Sequence, residues 1–152
     1  MKRDYPLPTQ VQTRDLMSNS QINWSELESA ARQVAANAYV PYSHFAVGAA
    51  ILTADGHMFT GCNVENASFG LTNCAERTAV FAARAQTNMR EVIAVCVYTP
   101  TDVPTPPCGG CRQVLNEFGP TMQVRLICNG KDVISTTLDQ LLPGAFGPKN
   151  LD

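Results

Sequence analysis

The segments Asn73-Cys74-Ala75-Glu76-Arg77 and Pro107-Cys108-Gly109-Gly110-Cys111 decide how this chain is organised. Together they offer three thiols and one carboxylate. Cysteine sulfur binds zinc readily; a structural zinc site is closed by four protein ligands, whereas a catalytic site keeps one position open for water. The three cysteines have suitable spacing, and no fourth ligand accompanies them. The pattern therefore predicts an open, catalytic zinc site with the carboxylate of Glu76 beside it.

Each half of this pattern has a simpler explanation when it is taken alone. Asn73 and Glu76 have the spacing of a capping box at a helix start, which would give the carboxylate a structural role. A lone Cys-x-x-Cys pair could be redox-active or buried. The two halves lie 34 residues apart, with Pro107 directly before its cysteine. Together they have the form of the zinc deaminase signature, in which Glu follows the first ligand by two residues and Pro-Cys-x-x-Cys comes later.

Composition and charge define the broad class of the protein. The chain has 152 residues, is 45% hydrophobic and 16% charged, and carries a formal net charge of −2. These values are typical of one globular domain. The negative charge and the lack of any Lys or Arg run argue against nucleic acid as a partner. No apolar run is long enough for a membrane span or a secretory signal, so we expect a cytoplasmic protein. Its cysteines should then be reduced thiols, and we expect Cys62, Cys96 and Cys128 to lie in the core.

Hydrophobic periodicity and turn signals predict an α/β fold. A flexible N-terminal arm covers residues 1–22, and residues 23–152 form a single domain. Asn23 caps a first helix that Pro41 ends, and Asp55-Gly56 joins two strands as a hairpin. The order α-β-β-α-β-α-β-β indicates five strands with helices packed on the sheet. The predicted helices are 24–38, 74–85 and 109–118, with the start of a short one at 137–142, and the predicted strands are 46–52, 57–63, 91–98, 123–128 and 133–136.

Two loops carry candidate substrate-binding residues. The aromatic segment 39–45 is either a packed helix-to-strand connection or a wall for a flat ligand, for which Phe45 is the best candidate. The segment 63–68 is either an Asx-type loop or a polar rim. In the second interpretation Asn63 and Glu65 face the same side, provided that the strand continues that far. A carboxylate acceptor at this rim would suit sugar hydroxyl groups.

With these motifs in view, the chain resembles the short, homotetrameric cytidine deaminases over residues 39–151. The metal motif is shared by the wider deaminase superfamily, whereas the Asn-Val-Glu-Asn-Ala and terminal Phe-Gly-Pro stretches narrow the resemblance to enzymes of free pyrimidine nucleosides. The matching segments are Tyr39-Val40-Pro41-Tyr42-Ser43-His44-Phe45-Ala46-Val47-Gly48-Ala49-Ala50, Asn63-Val64-Glu65-Asn66-Ala67-Ser68, Cys74-Ala75-Glu76-Arg77-Thr78-Ala79, Pro107-Cys108-Gly109-Gly110-Cys111-Arg112-Gln113 and Leu141-Leu142-Pro143-Gly144-Ala145-Phe146-Gly147-Pro148.

The resemblance implies a three-layer α-β-α sandwich with a mixed five-stranded sheet, and a homotetramer with shared active sites. It also implies that Arg77 hydrogen-bonds the sulfur ligands. Phe69 stands where the family often has Tyr, so a hydroxyl contact is lost, and the N-terminal arm is longer than usual. The implied substrate contacts are Phe45 on the pyrimidine ring, Asn63 and Glu65 on the ribose, Ala75, and, at a neighbouring subunit's site, Ala67, Phe69 and Phe146.

The expected reaction is hydrolytic deamination of cytidine and 2'-deoxycytidine to uridine and 2'-deoxyuridine plus ammonia, a step of pyrimidine salvage. One zinc ion per subunit, held by Cys74, Cys108 and Cys111, would lower the pKa of its water to about 7. Glu76 would pass a proton from this water to ring N3 as hydroxide attacks C4, and would later return a proton to the leaving ammonia. Helix N-termini and Arg77 would offset the charge of three thiolates.

Four other classes of protein share parts of this pattern. A blasticidin-type or other small-molecule aminohydrolase would not need the ribose pair Asn63 and Glu65, and a polynucleotide deaminase would need a basic surface. A zinc-stapled structural module would need a fourth protein ligand. A redox protein built on the Cys-x-x-Cys pair would leave Cys74 and Glu76 unexplained. Metal analysis and a cytidine absorbance assay separate these classes.

Overall fold

The structure is a computed structural model, and it describes residues 22–151 of the chain. The predicted arm at residues 1–22 lies outside the described residues, apart from Ile22, and stays a prediction. Short 3₁₀ turns occur at Phe69–Leu71 and Pro148–Asn150. The helices are α1 (Trp24–Ala35), α2 (Ala75–Gln86), α3 (Gly109–Phe118) and α4 (Leu138–Leu141), and the strands are β1 (Gly48–Thr53), β2 (Met58–Cys62), β3 (Val92–Tyr98), β4 (Gln123–Ile127) and β5 (Val133–Thr137).

The five strands form one mixed sheet in the order β2-β1-β3-β4-β5. β1 pairs antiparallel with both β2 and β3, and β4 pairs antiparallel with β5. β3 and β4 run parallel, and α3 lies in the crossover that such a pair requires. Gly56 has a φ of 87° in the hairpin turn between β1 and β2, as the Asp55-Gly56 signal predicts.

Helices cover both faces of this sheet, so the predicted α-β-α sandwich is confirmed. α1 packs on one face through Leu27 and Ala31. α2, α3 and α4 pack on the other face through Val80, Leu115 and Leu138, all of which are fully buried. Each buried Leu or Val side chain contributes about 1.5–3 kcal/mol by leaving water. The two cores hold the starts of α2 and α3 in fixed positions against the sheet.

The first helix is shorter than the predicted 24–38. α1 ends at Ala35, because the next three residues bond to the carbonyl three positions back in tightened turns. The Tyr39 N–H then donates to the carbonyl of Asn63 at 3.0 Å, and Tyr39 pairs with Val64 as an isolated bridge. A long-range backbone contact therefore redirects the chain before Pro41 is reached.

The capping-box explanation of Glu76 is wrong. Cys74 is the N-cap of α2, and it makes no side-chain cap bond. The Asn73 amide instead donates to Thr78 Oγ1 at 3.0 Å. Glu76 turns inward and is only 4% exposed. Helix capping therefore does not account for this carboxylate.

The remaining predictions differ little from the structure. Helix 109–118 has the predicted bounds, and every other strand or helix end, except that of α1, lies within two residues of its prediction. Cys96 and Cys128 are buried as predicted, but Cys62 is only half-buried, because β2 is an edge strand. Within residues 22–151, no helix is both long and apolar enough to cross a membrane.

Candidate active site

The starts of two helices meet at the candidate site. Cys74 is the N-cap of α2 and Cys108 is the N-cap of α3, and both have extended backbone. Cys111 lies in the first turn of α3. The unpaired N–H groups at a helix start favour negative charge, which suits a group of sulfur ligands for a metal. The fold thus brings together three cysteines from two distant segments of the chain.

The geometry of the three sulfur atoms fits a zinc ion. All three lie within 4.8 Å of one another, and Cys74 Sγ is 3.9 Å from Cys108 Sγ. Two sulfurs bound at about 2.3 Å to one tetrahedral zinc would be roughly 3.8 Å apart. Cys111 is buried, Cys74 is half-buried and Cys108 is exposed, so the cluster opens on one side. No fourth metal-binding side chain joins the cluster among the residues that the structure describes.

The pKa values of Cys74 and Cys111 are shifted in opposite directions. Hydrogen bonds from Cys111 and Arg77 lower the pKa of the Cys74 thiol to about 5, although partial burial opposes them. The pKa of Cys111 is raised, first by its bond to Cys74 and then by burial. Arg77 Nη2 donates to Cys74 Sγ at 3.0 Å, and this contact raises the pKa of Arg77. A second or third thiolate this close to that of Cys74 would be repelled by its negative charge. A bound zinc cation would remove this repulsion.

Glu76 lies against the cluster in the protein interior. Its Oε2 is 3.5 Å from Cys111 Sγ, which donates to it. Burial is the main cause that raises the pKa of Glu76, and the charge of Cys74 adds to it. Its place in the first turn of α2 fixes the carboxylate close to the thiols. A shielded carboxylate beside an open metal-binding group has the position of a proton-transfer group.

Gly61 positions this site, and the sequence interpretation missed it. It lies in β2 beneath α2, where an added Cβ would be 2.4 Å from the amide nitrogen of Ala79 and 2.5 Å from the carbonyl oxygen of Ala75. Ala75, one of the predicted substrate contacts, is itself fully buried. Only glycine allows α2 to approach the strand so closely. A lone glycine inside a strand pattern is the signal that could have revealed it.

Asn63 is buried and bonded to the neighbouring backbone. Its Oδ1 accepts from the Val47 N–H and its Nδ2 donates to the Phe45 carbonyl, both at 2.8 Å. These bonds fix the segment that carries Phe45. β2 ends at Cys62, so the strand does not continue to Glu65. Asn63 keeps one N–H and one lone pair for a ligand, and its contact with ribose stays a prediction.

Glu65 lies at the rim of a small cavity. Its Oε2 accepts from the N–H groups of Tyr42 at 3.0 Å and Ser43 at 3.2 Å. The Ser43 hydroxyl, followed by these two N–H groups, lowers the pKa of Glu65. The carbonyl of Thr72 accepts from Arg77 at 3.5 Å, which connects the cavity with the cysteines. The cavity has a volume of about 350 Å³ and is lined by Tyr42, Ser43, Glu65, Phe69 and Thr72.

The predicted aromatic contacts are poorly enclosed within one chain. Phe69 is 74% exposed and Phe146 is 59% exposed, whereas Phe45 is half-buried and Ala67 is exposed. The Phe69 ring lies 5.8 Å from that of Tyr42. Neither Phe45 nor Phe146 is among the described residues that line the 350 Å³ cavity. One chain therefore brings Glu65 and Phe69 together but does not bring Phe146 to them.

A larger cleft, of about 620 Å³, lies away from the cysteines. It is formed at the C-terminal end of α3, opposite to Cys108, and its lining includes Ile22, Glu91 and Phe118. None of the predicted site residues lines it. The size of a cleft is therefore not what marks the site in this protein.

Comparisons with known proteins agree with this geometry. The family model described as the cytidine and deoxycytidylate deaminase zinc-binding region matches residues 23–127. The cytidine deaminase of Halalkalibacterium halodurans is 48% identical over 121 residues, which cover 79% of this chain and 91% of that protein. The cytidine deaminase of Mycobacterium tuberculosis is 47% identical over 130 residues, which cover 86% of this chain and 94% of that protein.

A solved structure is similar over most of the fold. The crystal structure of cytidine deaminase from Burkholderia pseudomallei matches with a TM-score of 0.78 and 49% sequence identity, covering 82% of this chain and 100% of that chain. The family model and the relatives both extend over the segments that carry the three cysteines. The chain therefore belongs to the cytidine and deoxycytidylate deaminase family.

Proposed function

We propose that this protein is a zinc-dependent deaminase that hydrolyses cytidine and 2'-deoxycytidine to uridine and 2'-deoxyuridine and releases ammonia, as a step of pyrimidine salvage. The observation that carries this proposal is the three-sulfur cluster with the buried carboxylate of Glu76 against it. The relatives, which are cytidine deaminases at 47% and 48% identity, support a nucleoside as the substrate.

Cys74, Cys108 and Cys111 would hold one zinc ion per subunit. Zinc supplies Lewis-acid chemistry at this place, which lowers the pKa of water towards neutrality. Arg77 withdraws electron density from the cluster through its hydrogen bond to Cys74 Sγ. The starts of α2 and α3 act in the same direction by stabilising thiolate.

Glu76 would move two protons during the reaction. It takes one from the attacking water and gives it to ring N3, while the water oxygen bonds to C4. It then transfers the second water proton to the amino group, the C4–N bond breaks, and ammonia leaves. One water is consumed for each ammonia released. Because Glu76 is almost wholly buried, bulk water does not compete for these protons.

Phe45, Asn63 and Glu65 would hold the nucleoside, with Ala75 close to the base. The Phe45 ring would stack on the pyrimidine, since aromatic faces bind bases of any type. Glu65 Oε2 accepts from two backbone N–H groups, and a carboxylate has further lone pairs and is a strong acceptor for a sugar hydroxyl. Since we propose both nucleosides as substrates, the hydroxyl bound there is one that both sugars carry.

The active form would be a homotetramer in which neighbours complete each other's sites. Exposed apolar patches mark interfaces, and large apolar side chains near Glu65 are exposed, among them Tyr39, Phe69 and Leu71. Ala67, Phe69 and Phe146 would close the neighbouring pocket.

All six cysteines lie in the described range and none forms a disulfide there, which supports a reducing compartment such as the cytoplasm.

The test combines an assay with a metal analysis. Purified protein should lower the absorbance of cytidine, release ammonia and contain about one zinc per chain. Cys108→Ser should lose both zinc and turnover, whereas the matched control Cys62→Ser, outside the cluster, should keep both. Protein purified without chelators that contains no zinc, or zinc-loaded protein that releases no ammonia from cytidine, would contradict the proposal.

A further inference from the structure

Two amide side chains of α3 converge on the backbone of Phe146. Gln113 Nε2 donates to the Phe146 carbonyl at 2.9 Å, and Asn116 Nδ2 donates to the same oxygen at 3.4 Å. The Phe146 ring is nevertheless 59% exposed. The backbone of Phe146 is thus fixed to α3 of its own chain, while the side chain is exposed at the surface.

The loop around Phe146 borders a cleft. A cleft of about 460 Å³ lies between α4 and this loop, and Leu142, Ala145 and Lys149 are among its lining residues. Asn116 lines the cleft too, although only 9% of this residue is exposed. Because the loop spans a cleft, side-chain packing alone does not fix its position. The two amide bonds are the side-chain hydrogen bonds that hold the Phe146 carbonyl within the described residues.

The same helix also carries two zinc-binding cysteines. Arg112, directly after Cys111, donates from Nε to the carbonyl of Pro107 at 2.8 Å and from Nη1 to the carbonyl of Leu141 at 2.7 Å. One ten-residue helix thus holds the cysteine loop at its start and the C-terminal loop along its side. The distance between the cluster and Phe146 is set by this single rigid element.

We propose that Gln113 and Asn116 are positioning residues, which fix the Phe146 ring in the direction needed to contact the pyrimidine at a neighbouring subunit's site. The inference rests on the proposed role of Phe146. In the proposed arrangement the two amides act through the Phe146 backbone, to which both donate. Their loss should therefore weaken substrate binding and raise KM, with kcat and zinc content almost unchanged.

The test is a double-mutant cycle read in KM for cytidine. Gln113→Met and Asn116→Leu keep the approximate shape of each side chain and remove the N–H donors. The combined variant should raise KM by about three- to tenfold, since each neutral hydrogen bond contributes modestly. Phe146→Ala should raise KM by about tenfold or more through lost stacking. In the Phe146→Ala background the two amide changes should alter KM by less than about twofold, because the amides act by positioning a ring that this variant lacks.

Controls keep the test decisive. Gln33→Met removes an exposed amide that, within residues 22–151, donates to Ser29 on α1, and it should leave KM unchanged. If the combined variant fails to assemble, Gln113→Met alone, at an exposed position, should still raise KM by about threefold.

An unchanged KM in the variant that folds, or an equal rise in both Phe146 backgrounds, would overturn the proposal. Failure of the proposed function would be seen separately, as zinc-loaded wild-type protein that does not deaminate cytidine, and it would remove this inference as well.

Discussion

The candidate site has a proposed catalytic half that one chain brings together and a proposed binding half that one chain leaves open. The catalytic half consists of Cys74, Glu76, Arg77, Cys108 and Cys111, whose sulfurs and carboxylate already contact one another. In the binding half, Phe69 is 74% exposed and Phe146 is 59% exposed.

The difference has a physical origin in the backbone. The catalytic half stands on the first turns of two helices that are packed on the sheet. The binding half stands on loops, whose side chains need a further surface to cover them. The first turns of α2 and α3 are rigid elements that suit chemistry dependent on exact short distances. We propose that an interface between chains encloses the substrate.

The largest expected effect is in the catalytic half. Glu76→Gln should keep the fold and the zinc but lose nearly all turnover, because an amide cannot carry protons between water and the base. A group of this kind contributes roughly 10²–10⁴-fold, and Glu76 serves more than one step. Steady-state kinetics with zinc analysis provide the measurement. Near-normal turnover in this variant would show that Glu76 has no part in the chemistry.

A smaller effect is expected on stability, where an added methyl group should matter beneath α2 but not in the binding half. Gly61→Ala should lower the free energy of unfolding by about 1–3 kcal/mol, because the added methyl group meets the backbone of α2. Gly70→Ala, in the binding half, is the matched control, since a Cβ there meets nothing within 4 Å. Urea unfolding and zinc content measure both. Equal stability of the two variants would show that α2 does not depend on its close approach to β2.

A still smaller effect, on kcat/KM, is expected for Glu65, the proposed acceptor of a sugar hydroxyl. Glu65→Gln should lower kcat/KM for cytidine by about five- to tenfold, since an amide oxygen accepts more weakly than a carboxylate. Free cytosine, which lacks the sugar, should be affected far less. Glu117→Gln, at an exposed position near the other end of α3, is the control. Equal losses on both compounds would assign Glu65 a structural role through its bonds to Tyr42 and Ser43.

Within each of the two cysteine segments, the proximity of the side chains could be predicted because the information is local. The meeting of the two segments, 34 residues apart, was predicted from the deaminase signature and not from spacing alone. Cys74 and Glu76 are two residues apart on one helix start, and Cys108 and Cys111 are three apart on another, so short spacing already implies proximity. The bounds of α3 follow from its periodicity and from Gly119-Pro120 after it.

Long-range contacts explain what the sequence did not show. Tyr39 bonds to Asn63 beyond the end of α1, and Asn63 directs its amide to the backbone of residues 45 and 47. Gln113 and Asn116 reach a carbonyl some thirty residues away. None of these partners can be found from spacing, because only the folded sheet brings them together.

A mixing experiment tests most directly the claim that one site is drawn from two chains. Phe146→Ala subunits supply Glu76, and Glu76→Ala subunits supply Phe146, so a mixed interface contains some sites with both groups intact. The two variants are unfolded together and refolded, with mass measurement to show that mixed assemblies form. Activity is assayed at a cytidine concentration well below KM, where Phe146→Ala is poorly active because of its raised KM. Activity should rise above the average of the two parents in proportion to the fraction of mixed interfaces. Mixed assemblies whose activity stays at that average would contradict the claim.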